Sequence, residues 1–169
     1  MTLDQKVTLV LGGVSSGKSA YAEALFEGIT PRHYVATAQA FDDEMREKIK
    51  LHQEARSENW ITHEEPLALA NLLTDMPAQI VLVDCLSMWL SNHLLAENDL
   101  DAEFEALGAA IAKFDGQIVF VSNEVGFAPV VSNTLGRAFQ KAQGELNQRI
   151  AALSDRVVLI SAGLPMVLK

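Results

Sequence analysis

The chain has 169 residues, 49% apolar and 21% charged, with 13 basic against 22 acidic side chains and a formal charge of −9. That size suits one domain with a full core, residues 1–169, and the composition is globular, not disordered. The acidic balance argues against nonspecific nucleic-acid binding, which relies on Lys and Arg neutralising phosphates, so an anionic ligand needs a local positive site.

Cys85 is the only cysteine. No intramolecular disulfide can form, and a reducing compartment is expected. The stretch Met1–Lys6 is polar and lacks the apolar segment of a secretion signal. No apolar run approaches the roughly 20 residues that span a bilayer. The expectation is a soluble, cytoplasmic protein with no membrane span and no nucleic-acid partner.

Apolar, β-prone runs at Val7–Leu11, His33–Thr37, Ile80–Asp84, Ile118–Ser122 and Val157–Ser161, with a short one at Met166–Leu168, alternate with helical patterns. The helical stretches are 18–27, 43–58, 66–75, 86–95, 101–114 and 134–153. Continuous apolar strands alternating with helices predict an α/β fold, a mostly parallel sheet covered on both faces. No internal repeat, low-complexity tract or linker divides the chain.

The first of these strands runs into Gly12-Gly13-Val14-Ser15-Ser16-Gly17-Lys18-Ser19, which matches G-x-x-x-x-G-K-[ST] between a strand and a helix. Glycines there let backbone N–H groups wrap phosphate oxygens, with the positive end of the new helix pointing at them. Lys18 can reach the outer phosphates and the Ser19 hydroxyl can ligate Mg²⁺. This predicts a nucleotide-binding protein of the P-loop NTPase type, a three-layer α/β/α sandwich.

In the 43–58 stretch, Asp42 suits an N-cap, with Asp43 and Glu44 in the first turn. Met45, Ile49, His52 and Arg56 share one face, the stripe expected to turn towards the protein. His52 there either packs or reacts. Ile80–Asp84 is a buried strand ending in a carboxylate; set beside the first strand, Asp84 would hold Mg²⁺ or its water shell. Ser122–Pro129 opens directly after a strand, where α/β sheets line their ligand crevice. Asn123 and Glu124 therefore serve either a ligand or an ordinary strand–helix connection. His33 and His93 read as structural or solvent-facing, and Trp60 and Trp89 as core.

Landmarks spanning nearly the whole chain resemble the bifunctional adenosylcobinamide kinase / adenosylcobinamide-phosphate guanylyltransferase family of cobalamin biosynthesis. They are Gly12–Ser19, Tyr34–Ala38 with Asp42–Met45, His52…Arg56…Trp60–Glu64, Asp84–Leu86 with Trp89–Asn92, Ser122–Gly126 and Asn147–Arg149. One departure is Ser15, where many members carry Arg; losing that cation weakens the field on a triphosphate.

The resemblance implies two reactions. ATP or GTP phosphorylates the aminopropanol hydroxyl of adenosylcobinamide, and GTP then transfers GMP to that phosphate, giving adenosylcobinamide-GDP and pyrophosphate. His52 matches the family's nucleophile, which carries GMP covalently; a neutral imidazole is chemically suited to that attack. His63 is a rival nucleophile. Lys18 would be catalytic, and Ser19 and Asp84 would hold Mg²⁺. The nucleotide would lie on Gly12, Gly13, Val14, Ser15, Ser16, Gly17, Lys18 and Ser19, on Ala36, Thr37 and Ala38, on Gln53 and Arg56, and on Glu64 and Asp84. A carboxylate at Glu64 can accept from guanine N1–H and the exocyclic amine together. The resemblance also implies a homotrimer. A general base for phosphorylation stays open among Asp42, Asp43 and Glu124. Two alternatives remain: a small-molecule kinase in which His52 is structural, and a GTP-dependent switch or assembly protein.

Overall fold

A computed structural model describes residues 5–39, 47, 59–76, 79–129 and 131–169. Seven strands form one sheet: β1 (Val7–Gly12), β2 (Arg32–Ala36), β3 (Trp60–Glu64), β4 (Ile80–Asp84), β5 (Gln117–Asn123), β6 (Arg156–Ser161) and β7 (Leu164–Val167). Their order is β3-β2-β4-β5-β1-β6-β7. All neighbours run parallel except β7, which turns back antiparallel on β6.

The described helices are α1 (Lys18–Ala24), α2 (Leu69–Asp75), α3 (Leu86–Leu95), α4 (Leu100–Lys113) and α5 (Thr134–Leu153). Side chains alternate across the central strands. Leu9, Leu11, Val35, Val83 and Phe120 enter one core with α2, α3, α4 and α5. Val10, Tyr34, Leu82, Val119 and Val158 enter a second with Ala22 of α1 and with Leu25 and Phe26 just beyond it. Period-two alternation thus lets runs that look uniformly apolar feed both faces, giving the expected three layers.

Three differences from the sequence reading have physical causes. Trp60–Glu64 forms β3, an edge strand missed because it is mostly exposed and its two apolar residues, Trp60 and Ile61, give way to Thr62, His63 and Glu64, so no sustained apolar run marks it. Helix α1 stops at Ala24: the Leu25 N–H bonds back to the Ala22 carbonyl, and Gly28 then takes φ 77°. The third concerns Asp84, whose strand does not lie beside β1, because β5 separates the two. Strand neighbours are set by long-range packing, which periodicity does not encode.

Candidate nucleotide and metal site

The carboxyl ends of the strands form a step. Gly12 is level with Asn123 of β5, and Val10 with Val121. Asp84 is also level with Val121, and Ala36 with Asp84. Glu64 continues that row beside Ala36. So β1 and β5 project two residues beyond β4, β2 and β3, and Ala36, Asp84 and Glu64 lie along the lower tread.

The phosphate loop crowns the taller side. Ser15 and Gly17 take φ of 57° and 92°, which turn successive backbone amides inward. A Cβ on Gly12 would stand 2.3 Å from Ser16 Oγ and 2.9 Å from the Ile160 carbonyl, so only glycine fits where strand becomes loop. The turn is braced from outside by the Gly163 N–H, which donates to the Ser16 carbonyl at 2.9 Å. Lys18 Nζ donates to the Gly13 carbonyl at 3.3 Å, folding the ammonium over the loop. Ser16 Oγ is buried and has no partner among the described residues. A buried hydroxyl left unpaired costs free energy that an incoming hydrogen-bonding ligand would recover. Ser19 is half-buried in the first turn of α1.

On the lower tread, Asp84 is half-buried and its Oδ2 accepts from the Tyr34 hydroxyl at 3.0 Å. Ser19 and Asp84 supply only oxygen donors, the set a hard divalent cation prefers. No cluster of three or more His, Cys, Asp or Glu able to hold a metal occurs among the described residues. Cys85, next in sequence, is fully buried; its thiol is pushed up to about 11 by burial and then by the Asp84 charge, with Lys18 near enough to offset part of this.

Thr37 was expected on the nucleotide, but it is wholly buried. Its hydroxyl accepts from the Cys85 N–H at 2.9 Å and donates to the Cys85 carbonyl at 2.7 Å. The side chain therefore clamps β2 to the chain leaving Asp84. Ala36 is buried and Ala38 half-buried, while Glu64 is exposed at the end of β3. Gly13, Val14 and Ser15 are exposed on the loop. His52, Gln53 and Arg56 lie outside the described residues, as do Asp42 and Asp43.

The remaining candidates sort by surroundings. His63 Nε2 lies 2.9 Å from His33 Nδ1, with the rings stacked. Burial and then the neighbouring His33 lower the His63 pKa, favouring its neutral ring. His93 is buried beside Trp89, with its ring nitrogens at the Leu67 carbonyl and the Asn98 amide. Trp89 is core and donates to the Leu67 carbonyl, and Trp60 packs on Phe26 and Tyr34 under the Arg32 guanidinium. Glu124 Oε1 accepts from the Gly126 N–H, closing a local turn.

A buried polar set that the sequence did not reveal fixes the projecting strand end. The Asn123 N–H donates to Ser87 Oγ and its carbonyl accepts from Asn147 Nδ2. Asn147 Oδ1 accepts from both Ser122 Oγ and Gln143 Nε2. Asn92 Nδ2 donates to the Thr37 and Pro66 carbonyls. The one signal in the sequence was small polar residues recurring on otherwise apolar inner helix faces.

Comparison with known proteins identifies the family and the fold. Residues 8–168 match the family model described as cobinamide kinase / cobinamide phosphate guanyltransferase. The chain is 45% identical over 166 residues to a bifunctional adenosylcobalamin biosynthesis protein, CobP, of Pseudomonas aeruginosa, covering 95% of this chain and 96% of that one. It is 37% identical over 178 residues to the bifunctional adenosylcobalamin biosynthesis protein CobU of Salmonella typhimurium, covering 95% and 98%. Among solved structures, a Pyrococcus horikoshii OT3 protein aligns with TM-score 0.56 at 9% identity over 97% of this chain and 86% of that one. An ATPase from a type III secretion system aligns with TM-score 0.53 at 12% identity over 96% and 56%. These last two show the fold alone. With a family model covering nearly its full length and relatives of matching length, the chain belongs to the cobinamide kinase / cobinamide phosphate guanyltransferase family.

Proposed function

We propose that this member of the family runs both its reactions from the cradle between β1 and α1. In the kinase reaction, the adenosylcobinamide hydroxyl attacks the γ-phosphorus of ATP or GTP; the bond to the β-phosphate oxygen breaks and the hydroxyl proton leaves. Lys18 neutralises charge on the transferring group, and backbone amides of Gly13–Ser19 hold the rest of the triphosphate. Catalysis there is chiefly positioning and electrostatics. In the second reaction the neutral His52 imidazole attacks the α-phosphorus of GTP, a P–N bond forms and pyrophosphate leaves. An oxygen of adenosylcobinamide phosphate then attacks the same phosphorus, breaking the P–N bond and giving adenosylcobinamide-GDP.

The observation that carries this reading is the cradle itself, with a glycine that admits no Cβ and a buried, unpartnered Ser16 hydroxyl. Ser19 and Asp84 would hold Mg²⁺, which offsets phosphate charge. Ala36, Ala38, Gln53, Arg56 and Glu64 would line the nucleotide, Glu64 reading guanine. The Thr37 side chain is left out, because its hydroxyl is already paired.

A homotrimer is part of the proposal, and an apolar sheet edge supports it: Leu164, Met166 and Val167 of β7 are each more than half exposed. Among the described residues no helix is long and apolar enough to cross a membrane; we place the enzyme in the cytoplasm.

The deciding experiment incubates the protein with GTP labelled at the α- or γ-phosphorus, denatures it and locates bound label by mass spectrometry. Acid-labile, α-derived GMP on His52 is expected. His52→Ala should lose that label and GMP transfer while keeping kinase turnover. Label on His63, or equal loss of both activities in a folded His52→Ala protein, would contradict the assignment.

A further inference from the structure

The two most exposed large apolar side chains among the described residues are Val14, at 86%, and Phe127, at 85%. They sit on the loops that leave β1 and β5, the adjacent strands forming the taller side of the step. Those strands stay joined to their ends, where Gly12 is level with Asn123 and the Glu124 N–H donates to the Gly12 carbonyl at 3.0 Å. Both residues therefore stand at the mouth of the phosphate cradle.

The Phe127 loop is held in place. Gln140 of α5 donates to the Val125 and Pro129 carbonyls and accepts from the Val131 N–H. Within the loop, the Gly126 N–H donates to Glu124 Oε1 and the Ala128 N–H to the Val125 carbonyl. The backbone is thus bonded on both sides of a phenyl ring that packs against almost nothing. Exposed apolar side chains scattered singly need no explanation, but two flanking one polar cradle suggest a ligand with an apolar body.

A triphosphate offers no such body at its outer phosphates. The acceptor does: its hydroxyl or phosphate hangs on an arm from a broad corrin macrocycle, which must rest outside the cradle when the arm reaches in. We propose that Phe127, with Val14 on the neighbouring loop, forms the platform on which the corrinoid macrocycle sits during both transfers. This deepens the reading of the same site, naming where its second substrate binds.

The test is Phe127→Ser, with Phe127→Leu as the apolar control, assayed with adenosylcobinamide as the varied substrate. Phe127→Ser should lower kcat/KM for adenosylcobinamide about tenfold or more, the scale expected when a large apolar contact is lost. Phe127→Leu should recover most of the loss. The nucleotide KM and the α-derived protein label formed without corrinoid should stay within about twofold of wild type. Because the ring is almost wholly exposed, both variants should fold, which circular dichroism checks. An unchanged kcat/KM for adenosylcobinamide in Phe127→Ser would overturn the proposal. So would an equal rise in nucleotide KM. A change in oligomeric mass by light scattering would also overturn it, assigning the ring to a second copy of the chain. Loss of the corrinoid-free label in wild type as well would count against the histidine intermediate, not against the platform.

Discussion

Replacing Thr37 with Val keeps the shape of the side chain and deletes its hydroxyl. In the native protein that hydroxyl accepts from the Cys85 N–H and donates to the Cys85 carbonyl, in a fully buried setting. The two ends do not lose equally. The Cys85 carbonyl keeps a second donor, the Trp89 N–H at 3.2 Å, whereas the Cys85 N–H is left without its hydroxyl partner. An unpaired buried donor costs about 1–3 kcal/mol and a lost ordinary hydrogen bond about 0.5–1.5 kcal/mol. The sum is about 1.5–4.5 kcal/mol. For a protein of this size each kcal/mol moves Tm by about 2–4 °C, so Thr37→Val should melt about 3–18 °C lower. Thr37→Ser keeps the hydroxyl and should stay within a few degrees of wild type. Calorimetry or thermal circular dichroism reads the difference, and nucleotide KM is measured well below the melting range. A Thr37→Val protein with unchanged Tm and a raised nucleotide KM would refute the clamp and return Thr37 to the ligand.

Lys18→Ala should abolish both kinase and guanylyl transfer, because both depend on the same triphosphate cradle; steady-state rates with adenosylcobinamide and its phosphate check this. Asp84→Asn should raise the Mg²⁺ concentration needed for half-maximal rate more than tenfold, read from a metal titration at saturating nucleotide. The lowered pKa of His63 sets a pH dependence of stability. The unfolded chain binds the proton more readily, so stability is full above the unfolded pKa of 6.5 and declines as pH falls through the lowered folded value. His63→Gln should flatten this decline in urea-unfolding midpoints taken from pH 8 to pH 5.

The phosphate loop was legible because its chemistry is local: a strand, a glycine-rich turn and a helix in unbroken sequence. The strands β1, β4 and β5 were legible for the same reason, since each is an apolar run buried on both faces. Strand β3 was not, because an exposed edge strand such as Trp60–Glu64 needs no apolar run. The placing of β5 between β1 and β4 was also hidden, since pairing joins residues far apart in the chain. Ser87 and Gln143 carried no signal of their own and Asn147 stood only as a family landmark, so only the folded arrangement shows them gripping Ser122 and Asn123. The resemblance placed Thr37 on the nucleotide, and only the fold shows its hydroxyl clamping Cys85. His52, to which guanylyl transfer is assigned by proposal, lies outside the described residues, and that assignment stands on sequence resemblance.

The step in the sheet edge bears on the proposal that one cradle serves two chemistries. Asp84 lies two strands from Gly12 and two residues lower, about 10 Å across and about 7 Å down at ordinary strand spacings. Mg²⁺ takes its ligands at about 2.1 Å and retains several waters. Ser19 and Asp84 would hold such a cation from opposite sides of the step, and its charge would offset that of the phosphates. The tread from Asp84 past Ala36 to Glu64 then lies lower beside the cradle. A triphosphate laid along the step would present its γ-phosphorus at one end and its α-phosphorus towards that tread. Under the proposal, attack at either phosphorus would differ in which group approaches from which side, with the amides of Gly13–Ser19 holding the triphosphate in both transfers.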